Sequence, residues 1–350
     1  MCAGRHARRA RRRPGARQRL RRRCRPVARD ARPRPTARGP RRLAPSAQRG
    51  AARRFRARVS RAPLRGAAAE PRRSLSQAGT GAVRQLTAAF EWQSRAVVGR
   101  HLRVYLKNWH TSFLPPVLEP ITLLLAFGLG LGAYMARGIE WHGRDVGYMD
   151  YVAPGMLAYA TFMTAVFQSL FGAFIRMRYQ RTWEGQLTTQ IDLRHVVWGE
   201  ILWAALLTTS YVAIVSLVLS ACQALGLIHL DLGVLPVVIP IVFVSACAFS
   251  ALGLCFTALV PTIDHMNLPI FLVVLPMGFV SATYFPLGHP VMAAISTVNP
   301  LYHLAEAVRG LLLGAGGGVH FAGLAILVSA MLAVLVPLDM RLLRKRVLGD

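Results

Sequence analysis

The sequence contains no GxxxxGK[ST] phosphate-binding loop, no GxSxG or HExxH motif and no paired carboxylates at catalytic spacing. Only five of its 350 residues are cysteine, and the three beyond the N-terminal region lie inside apolar runs without CxxC spacing. These absences exclude ATP binding through a P-loop and argue against an enzyme, a disulfide framework and a cysteine-based zinc site. We therefore expect no metal ion and no cofactor on this chain.

Acidic residues are scarce, since 15 Asp and Glu stand against 43 Lys and Arg for a net charge of +28. Residues 1–80 carry 27 of the basic residues and only two acidic ones, so the rest of the chain is nearly neutral and no nucleic-acid partner is expected. Residues 1–80 have few large apolar side chains and are predicted to be disordered. A basic tail, a targeting peptide and a translation start assigned too early are all open interpretations of this segment.

Long apolar runs dominate the remainder, and 53% of all residues are hydrophobic. Six runs have 18 or more residues, about the length needed to cross a hydrocarbon core of roughly 30 Å. They are Phe113–Met135, Tyr151–Ile175, Ile201–Gln223, Leu235–Val260, Leu268–Leu287 and Phe321–Leu338. The prediction is an all-α polytopic membrane protein with six transmembrane helices in a domain spanning residues 111–338.

Two further helical features flank these runs. Residues 84–110 place apolar side chains at roughly helical spacing between basic ones, which predicts an amphipathic helix lying in the membrane interface. Before the last run, Pro290–Val298 and Leu301–Leu313 predict a short helical hairpin that dips into the membrane or lies at its outer surface. Residues 339–350 are expected to form a basic cytoplasmic tail.

The distribution of basic residues predicts the orientation. The loops and segments on one side, including both flanks of the six runs, contain thirteen Lys and Arg, whereas the loops on the other side contain three. By the positive-inside rule, both termini and residues 176–200 are cytoplasmic.

Residues 176–200 are a polar segment between two apolar runs. Trp183–Gln190 predicts a short helix parallel to the membrane, and Asp192 is suited to cap the helix that follows. A short helix joined to two spans would transmit a push from a cytoplasmic partner, although the segment could also be a plain positive connector. The candidate coupling residues are Arg178, Arg181, Trp183, Glu184, Leu187, Ile191 and Arg194.

A few polar residues in or near the apolar runs are candidates for a pathway or gate. Glu119 lies within the first run, where a carboxylate is costly unless paired or hydrated, and Glu200 lies just before the third. Each either lines the pathway or is the structural partner of a nearby arginine or, for Glu119, of free backbone N–H groups near Pro115 and Pro116. His303, Glu306 and Arg309 share one face of a short helix and either contact a polar head group or form an ion-pair patch.

Four segments resemble the permease subunit of type-2 ABC exporters. They are Leu114–Met135, Tyr151–Leu187, Val196–Ala205 and Asn299–Leu311, and their specific parts are the APG at Ala153–Gly155, the FIRMRYQ at Phe174–Gln180 and the GEILWA at Gly199–Ala204. The sequence is most similar to NodJ-like exporters of lipooligosaccharides and nodulation factors, with daunorubicin-type drug permeases as more distant relatives. Through this resemblance, Pro154 and Gly155 join the pathway candidates.

The resemblance implies a half-transporter in the bacterial inner membrane. Two copies of the chain would form a pathway for an amphiphile, such as a glycolipid or a hydrophobic drug, surrounded by membrane lipid. Two copies of a separate NodI-like ATPase would bind ATP and Mg²⁺ and contact the 176–200 segment. Two alternatives are an ion-coupled carrier, which needs several intramembrane carboxylates and repeated halves, and an assembly protein without transport activity.

Overall fold

The computed structural model describes residues 87–108, 138–315 and 318–349, together with isolated positions between 118 and 130. Most of these residues are helical, which confirms the predicted fold class. The helices are α1 (Trp92–Lys107), α2 (Tyr148–Tyr179), α3 (Thr182–Leu187), α4 (Leu193–Ala224), α5 (Leu232–Leu259), α6 (Ile263–Phe279), α7 (Pro290–Ser296), α8 (Pro300–Leu312) and α9 (Gly318–Leu348).

Four of these helices, α2, α4, α5 and α9, are long and apolar enough to cross a membrane, with 28 to 32 residues each. Helices α2, α4 and α9 contain the second, third and sixth predicted runs and extend beyond them into polar sequence, whereas α5 covers the fourth run up to Leu259. The extension follows from helix cooperativity, because each added residue completes a backbone hydrogen bond without a new nucleation cost. The chain is therefore a multi-pass membrane protein.

Other predictions lie outside the described residues. Residues 1–80 lie outside them, and so does nearly all of the predicted first span, including Glu119. The prediction of six spans is therefore neither confirmed nor contradicted at this run.

The helix observed at the fifth apolar run differs from the predicted span over Leu268–Leu287. Helix α6 begins earlier, at Ile263, has 17 residues and ends at Phe279. Its last turn is closed by a side chain, because Asn299 Nδ2 donates to the carbonyl oxygens of Met277 at 2.7 Å and Val280 at 3.1 Å. The apolar sequence continues beyond this point, but the backbone leaves the helix.

A two-stranded antiparallel hairpin precedes α2, formed by β1 (Ile139–Trp141) and β2 (Arg144–Val146). The two-residue turn has positive φ at both His142 (49°) and Gly143 (73°). This is the geometry of the tight hairpin turn that usually contains Asn-Gly. The all-α prediction missed the hairpin because the strands have only three residues each.

Helix α5 lies at the centre of the bundle and packs against α2, α4 and α9. Helix α1, the observed form of the predicted amphipathic helix, packs along α4. The close approach depends on Gly199, because a Cβ there would lie 2.5 Å from Cβ of Val97 on α1. The sequence GEILWA therefore provides the contact surface for α1.

The two short helices predicted before the last run are present as α7 and α8. Asn299 begins α8 as its N-cap, accepting a hydrogen bond from the Leu301 amide at 3.0 Å. Helix α8 is buried between α2 and α9. Helix α9 continues to Leu348, so the residues expected to form a separate tail are its last turns.

Candidate functional site

A buried ion-pair junction centred on Glu200 joins four helices, one of which is the short helix α3. Arg176 at the end of α2 contacts the Glu200 carboxylate with Nε at 3.0 and 3.1 Å and Nη2 at 2.5 Å. Trp183 on α3 donates its indole N–H to Glu200 Oε1 at 2.9 Å. His101 Nε2 on α1 lies 3.3 Å from the same oxygen. One carboxylate of α4 therefore contacts α1, α2 and α3.

The electrostatics explain why this junction is held in one arrangement. The side chain of Glu200 is fully buried and that of Arg176 is 12% exposed. Burying two charges is costly, and the cost is offset only by close geometry and additional hydrogen bonds. Both are present here, because the guanidinium engages the carboxylate through two nitrogens and the indole N–H adds a third donor. Of the two interpretations of Glu200, the structure shows the arginine partner.

A second polar contact ties the start of α1 to the start of α4. Asp192 is the N-cap residue of α4, as predicted, and His195 Nδ1 accepts its backbone N–H at 3.1 Å. His195 Nε2 lies 2.7 Å from Glu91 Oε2. Arg194 extends this contact, 3.7 Å from Glu91 and 3.4 Å from Asp192. The spacing of Asp192 and His195 matches a capping box, which is a signal that sequence reasoning had not used.

Helix α3 is amphipathic on a small scale. Trp183 is fully buried and anchors the helix, and the Thr182 hydroxyl donates to the Arg176 carbonyl at 3.1 Å. Three candidate coupling residues are exposed, namely Arg178, Arg181 and Glu184. Leu187, Ile191 and Arg194 are half-buried. The α2–α3 corner therefore has a buried side anchored by Trp183 and an exposed, charged side formed by Arg178, Arg181 and Glu184.

The end of α9 lies against the same region. A cavity of about 310 Å³ is lined by residues of the α2–α3 corner and by Arg346 and Val347. Arg346 Nη1 donates to the carbonyl oxygens of Thr257 at 2.6 Å and Ala258 at 3.0 Å, at the end of α5. The last turns of the chain therefore connect α5 to the surroundings of α3.

The second cluster of candidates lies at the opposite end of α2. Arg309 is fully buried and pairs with Glu306, and it donates to the backbone carbonyls of Tyr151 and Ala282, both at 3.0 Å. Its guanidinium carbon also lies 3.8 Å from the centre of the Tyr151 ring. Twenty-five residues separate Tyr151 from Arg176, which corresponds to about 37 Å along a helix. The two polar clusters are thus about one membrane thickness apart.

The APG motif belongs to this second cluster. Pro154 and Gly155 are buried in α2, and a Cβ on Gly155 would lie 2.5 Å from the Thr283 carbonyl oxygen and 2.9 Å from Arg309 Nη2. Gly155 therefore leaves room for the backbone after α6 and for the arginine. His303 is also buried, and its Nε2 lies 2.8 Å from the Thr297 carbonyl oxygen. The ion pair is enclosed, as expected of a structural patch.

Two adjoining cavities near the Glu200 junction differ in chemistry. The first, of about 620 Å³, is mainly apolar and is lined by Met156, Tyr159, Met163, Phe167 and Phe171 among others. The second, of about 390 Å³, is more polar. It is lined by Arg100, His101, Val104, Tyr105, Asn108, Gln168, Arg176, Gln180, Trp203, Leu207 and Tyr211.

Three residues, Gln168, Leu207 and Tyr211, line both cavities. In the polar cavity, Arg100 Nη1 is buried and has no hydrogen-bond partner among the described residues. Sequence reasoning missed Arg100 and His101 as lining residues, because their positions on α1 showed only that they are polar.

Comparisons with known proteins agree with this architecture. Residues 93–313 match the family model described as ABC-2 type transporter. Nodulation protein J of Sinorhizobium fredii is 32% identical over 268 residues, which cover 74% of this chain and 95% of that protein. Nodulation protein J of Rhizobium leguminosarum bv. trifolii is 31% identical over 63% of this chain and 80% of its own length. The protein of the same name from Bradyrhizobium diazoefficiens is 30% identical over 65% and 83%.

Proposed function

Because this chain belongs to the ABC-2 type transporter family, we propose that it is the permease subunit of an exporter driven by a separate ATPase subunit. The substrate would be an amphiphile moved outward across the bacterial inner membrane, and two copies of the chain would form the pathway. The observation that carries this proposal is the Glu200 junction, because it connects the short, partly exposed helix α3 to α1, α2 and α4.

The junction provides a route for mechanical coupling. A partner that displaces α3 moves Trp183, whose indole is hydrogen-bonded to Glu200. Since Glu200 also holds Arg176 and lies against His101, the displacement reaches α4, α2 and α1 at one point. Tight packing converts such a displacement into a switch between discrete arrangements rather than a gradual deformation.

Helix α2 has a feature suited to this movement. Its last part contains two π-helical stretches, Gln168–Gly172 and Ile175–Tyr179, on either side of a short α-helical link. π-Helical turns are rare and often occur at functional sites, because the wider turn holds an extra residue. The second stretch contains Arg176, so the segment that receives the push can change its helical geometry without unfolding.

The orientation follows from charge. Residues 176–194 and the nearby end of α9 carry seven of the twelve arginines of the described residues, which favours a cytoplasmic position for this end. An ATPase in the cytoplasm would then contact Arg178, Arg181 and Glu184. Both chain termini would lie on the same side.

The adjoining cavities support an amphiphilic substrate. The apolar cavity has the volume of a small-molecule binding site and would hold part of an acyl chain or drug ring. The polar cavity offers Arg100 and Arg176 to a polar or anionic head group. Because the two cavities share three lining residues, one amphiphile could occupy both. A substrate moving from the cytoplasmic leaflet would place its head group at the basic cavity.

Charge reversal on the exposed side of the α2–α3 corner tests the ATPase partnership. In the variant Arg181→Glu/Glu184→Lys, both substituted side chains are exposed, so the fold should be retained. The matched control is Arg144→Glu/Asp145→Lys on the β-hairpin, where the same charges are exchanged at exposed positions. Each form is co-expressed with its ABC ATPase and purified in detergent, and both the bound ATPase and the ATP-dependent transport of amphiphiles into inverted vesicles are measured.

We expect the wild type and the hairpin control to retain the ATPase and to transport, and the α3 variant to lose both. If the α3 variant keeps the ATPase and transports like the control, the proposed contact surface is wrong. If the wild type transports with an ion gradient but without ATP, the protein is a carrier. If it binds no ATPase and transports nothing, an assembly role replaces the proposal.

A further inference from the structure

Three side chains of types that commonly bind metal ions converge beside the ion pair of Glu306 and Arg309, although they come from different parts of the chain. His142 lies on the turn of the β-hairpin, Glu306 on α8 and His320 in the first turn of α9. One ligand atom of each lies within 4.8 Å of the others. With His303, whose ring centre is 5.6 Å from that of His320, this region gathers three of the ten histidines of the chain.

Glu306 is held in an orientation that suits a metal ligand. Arg309 pairs with Oε1, whereas the indole N–H of Trp141 donates to Oε2 at 2.9 Å. Oε2 is also the oxygen that faces His142, whose Nε2 lies 3.7 Å away. Carboxylates that bind metal ions are commonly oriented by such outer hydrogen bonds.

The histidines have unused nitrogen atoms. Nδ1 of His320 and Nδ1 of His303 are buried and lack a hydrogen-bond partner among the described residues. Buried polar atoms are nearly always paired, so each unpaired atom requires an explanation. Gly323 contributes to the geometry, because a Cβ there would lie 2.6 Å from the His303 ring. The glycine thus lets α9 approach α8 closely enough to bring the imidazoles together.

We propose that His142, Glu306 and His320 bind a divalent transition-metal ion, with Zn²⁺ as the best-suited ion. Two imidazoles and one carboxylate are a common set of three protein ligands for Zn²⁺, with a water molecule in the fourth position. Metal–ligand bonds of about 2.0–2.2 Å place tetrahedral ligands roughly 3.4 Å apart, so atoms that lie within 4.8 Å of one another must draw in by up to about 1.4 Å. His142 can make this movement, because its side chain is 59% exposed on a two-residue turn.

The charge balance selects the class of ion. Arg309 already neutralises much of the Glu306 charge, which weakens the site for Mg²⁺ and Ca²⁺, since these ions rely on several oxygen ligands. The two imidazoles instead favour Zn²⁺, Ni²⁺ or Cu²⁺. A bound ion would connect the hairpin turn to α8 and α9. This site is independent of the ATPase contact at the other end of α2.

The experiment uses the full chain in lipid nanodiscs, purified with a histidine-free tag and treated with a chelator. Binding of Zn²⁺ is measured by titration against a fluorescent zinc indicator, and Co²⁺ is used as a spectroscopic substitute. The variants are His142→Asn, which keeps a residue suited to positive φ, and His320→Asn. The matched control is His289→Asn, an exposed histidine that caps α7.

We expect the wild type and His289→Asn to bind one Zn²⁺ per chain at this site and to show the absorption of tetrahedral Co²⁺. His142→Asn and His320→Asn should bind at least about 10-fold more weakly and lose the Co²⁺ signal. An excess of Mg²⁺ or Ca²⁺ should not displace Zn²⁺. Equal Zn²⁺ binding in His142→Asn and His289→Asn, or no stoichiometric binding by the wild type, would overturn the proposal.

Discussion

Substitution of Glu200 by Gln should destabilise the bundle much more than an exposed substitution of the same kind. Glutamine keeps the size of the side chain and an oxygen that can accept the Trp183 indole N–H. It leaves the Arg176 guanidinium without its counter-charge, at a position only 12% exposed. Removing one member of a buried ion pair costs about 3–5 kcal/mol. Because the Arg176 side chain is partly exposed and lines the polar cavity, we expect a loss near the lower limit.

The double variant Arg176→Met/Glu200→Gln separates this effect from a loss of packing. Without the arginine no unpaired charge remains buried, and replacing a buried ion pair by apolar residues often changes the free energy of unfolding little. The two substitutions should therefore be non-additive, with a coupling energy of about 1–3 kcal/mol. The matched pair Arg178→Met/Glu184→Gln is exposed in both positions and should show a coupling below about 1 kcal/mol.

The free energy of unfolding of each form would be measured by SDS titration in mixed micelles, and transport per ATP hydrolysed in proteoliposomes containing the ATPase. The Arg176→Met/Glu200→Gln variant should bind the ATPase but export less substrate per ATP, since the link between α3 and the long helices is weakened. The reasoning is refuted if Glu200→Gln unfolds like the wild type. It is equally refuted if the double variant shows the simple sum of the two single losses.

Two glycine substitutions test the close contacts near the start of α2 and near the start of α4. Gly155→Ala should destabilise the protein by about 1–3 kcal/mol, because the new Cβ would clash with the Thr283 backbone, which cannot rotate away. This cost exceeds the gain in helix propensity of about 1 kcal/mol. A raised unfolding midpoint would contradict the prediction. Gly199→Ala should push α1 away from α4 at Val97. The distance between spin labels on the two helices should therefore increase, and the unfolding midpoint should fall. An unchanged distance would show that the contact is not tight.

The sequence determines the local features of this protein because they depend on neighbouring residues. Run length and composition identify α2, α4, α5 and α9 as membrane helices, and Asp192 and Asn299 mark helix starts through their side-chain oxygens. The two short helices before α9 were predictable for the same reason, since Pro290 and Asn299-Pro300 punctuate the run.

Only the tertiary structure decides which distant groups meet. The apolar run after α6 would continue as a helix by composition, but Asn299 and Arg309 take its carbonyl oxygens and end it. The pairing of Glu200 with Arg176 and the buried position of Arg309 likewise depend on helix packing. Any of several arginines would be a plausible partner from sequence alone.

The proposed metal site shows this limit most clearly. Its three residues, His142, Glu306 and His320, are 164 and 14 residues apart along the chain, and no spacing motif connects them. Sequence composition determines the free energy of transferring each segment from water to lipid, and periodicity indicates its secondary structure. Together they determine that this chain folds as membrane helices. Long-range contacts contribute energies that depend on three-dimensional distance. The tertiary structure alone therefore decides where charges are paired, where a push on α3 is transmitted and where a metal ion can bind.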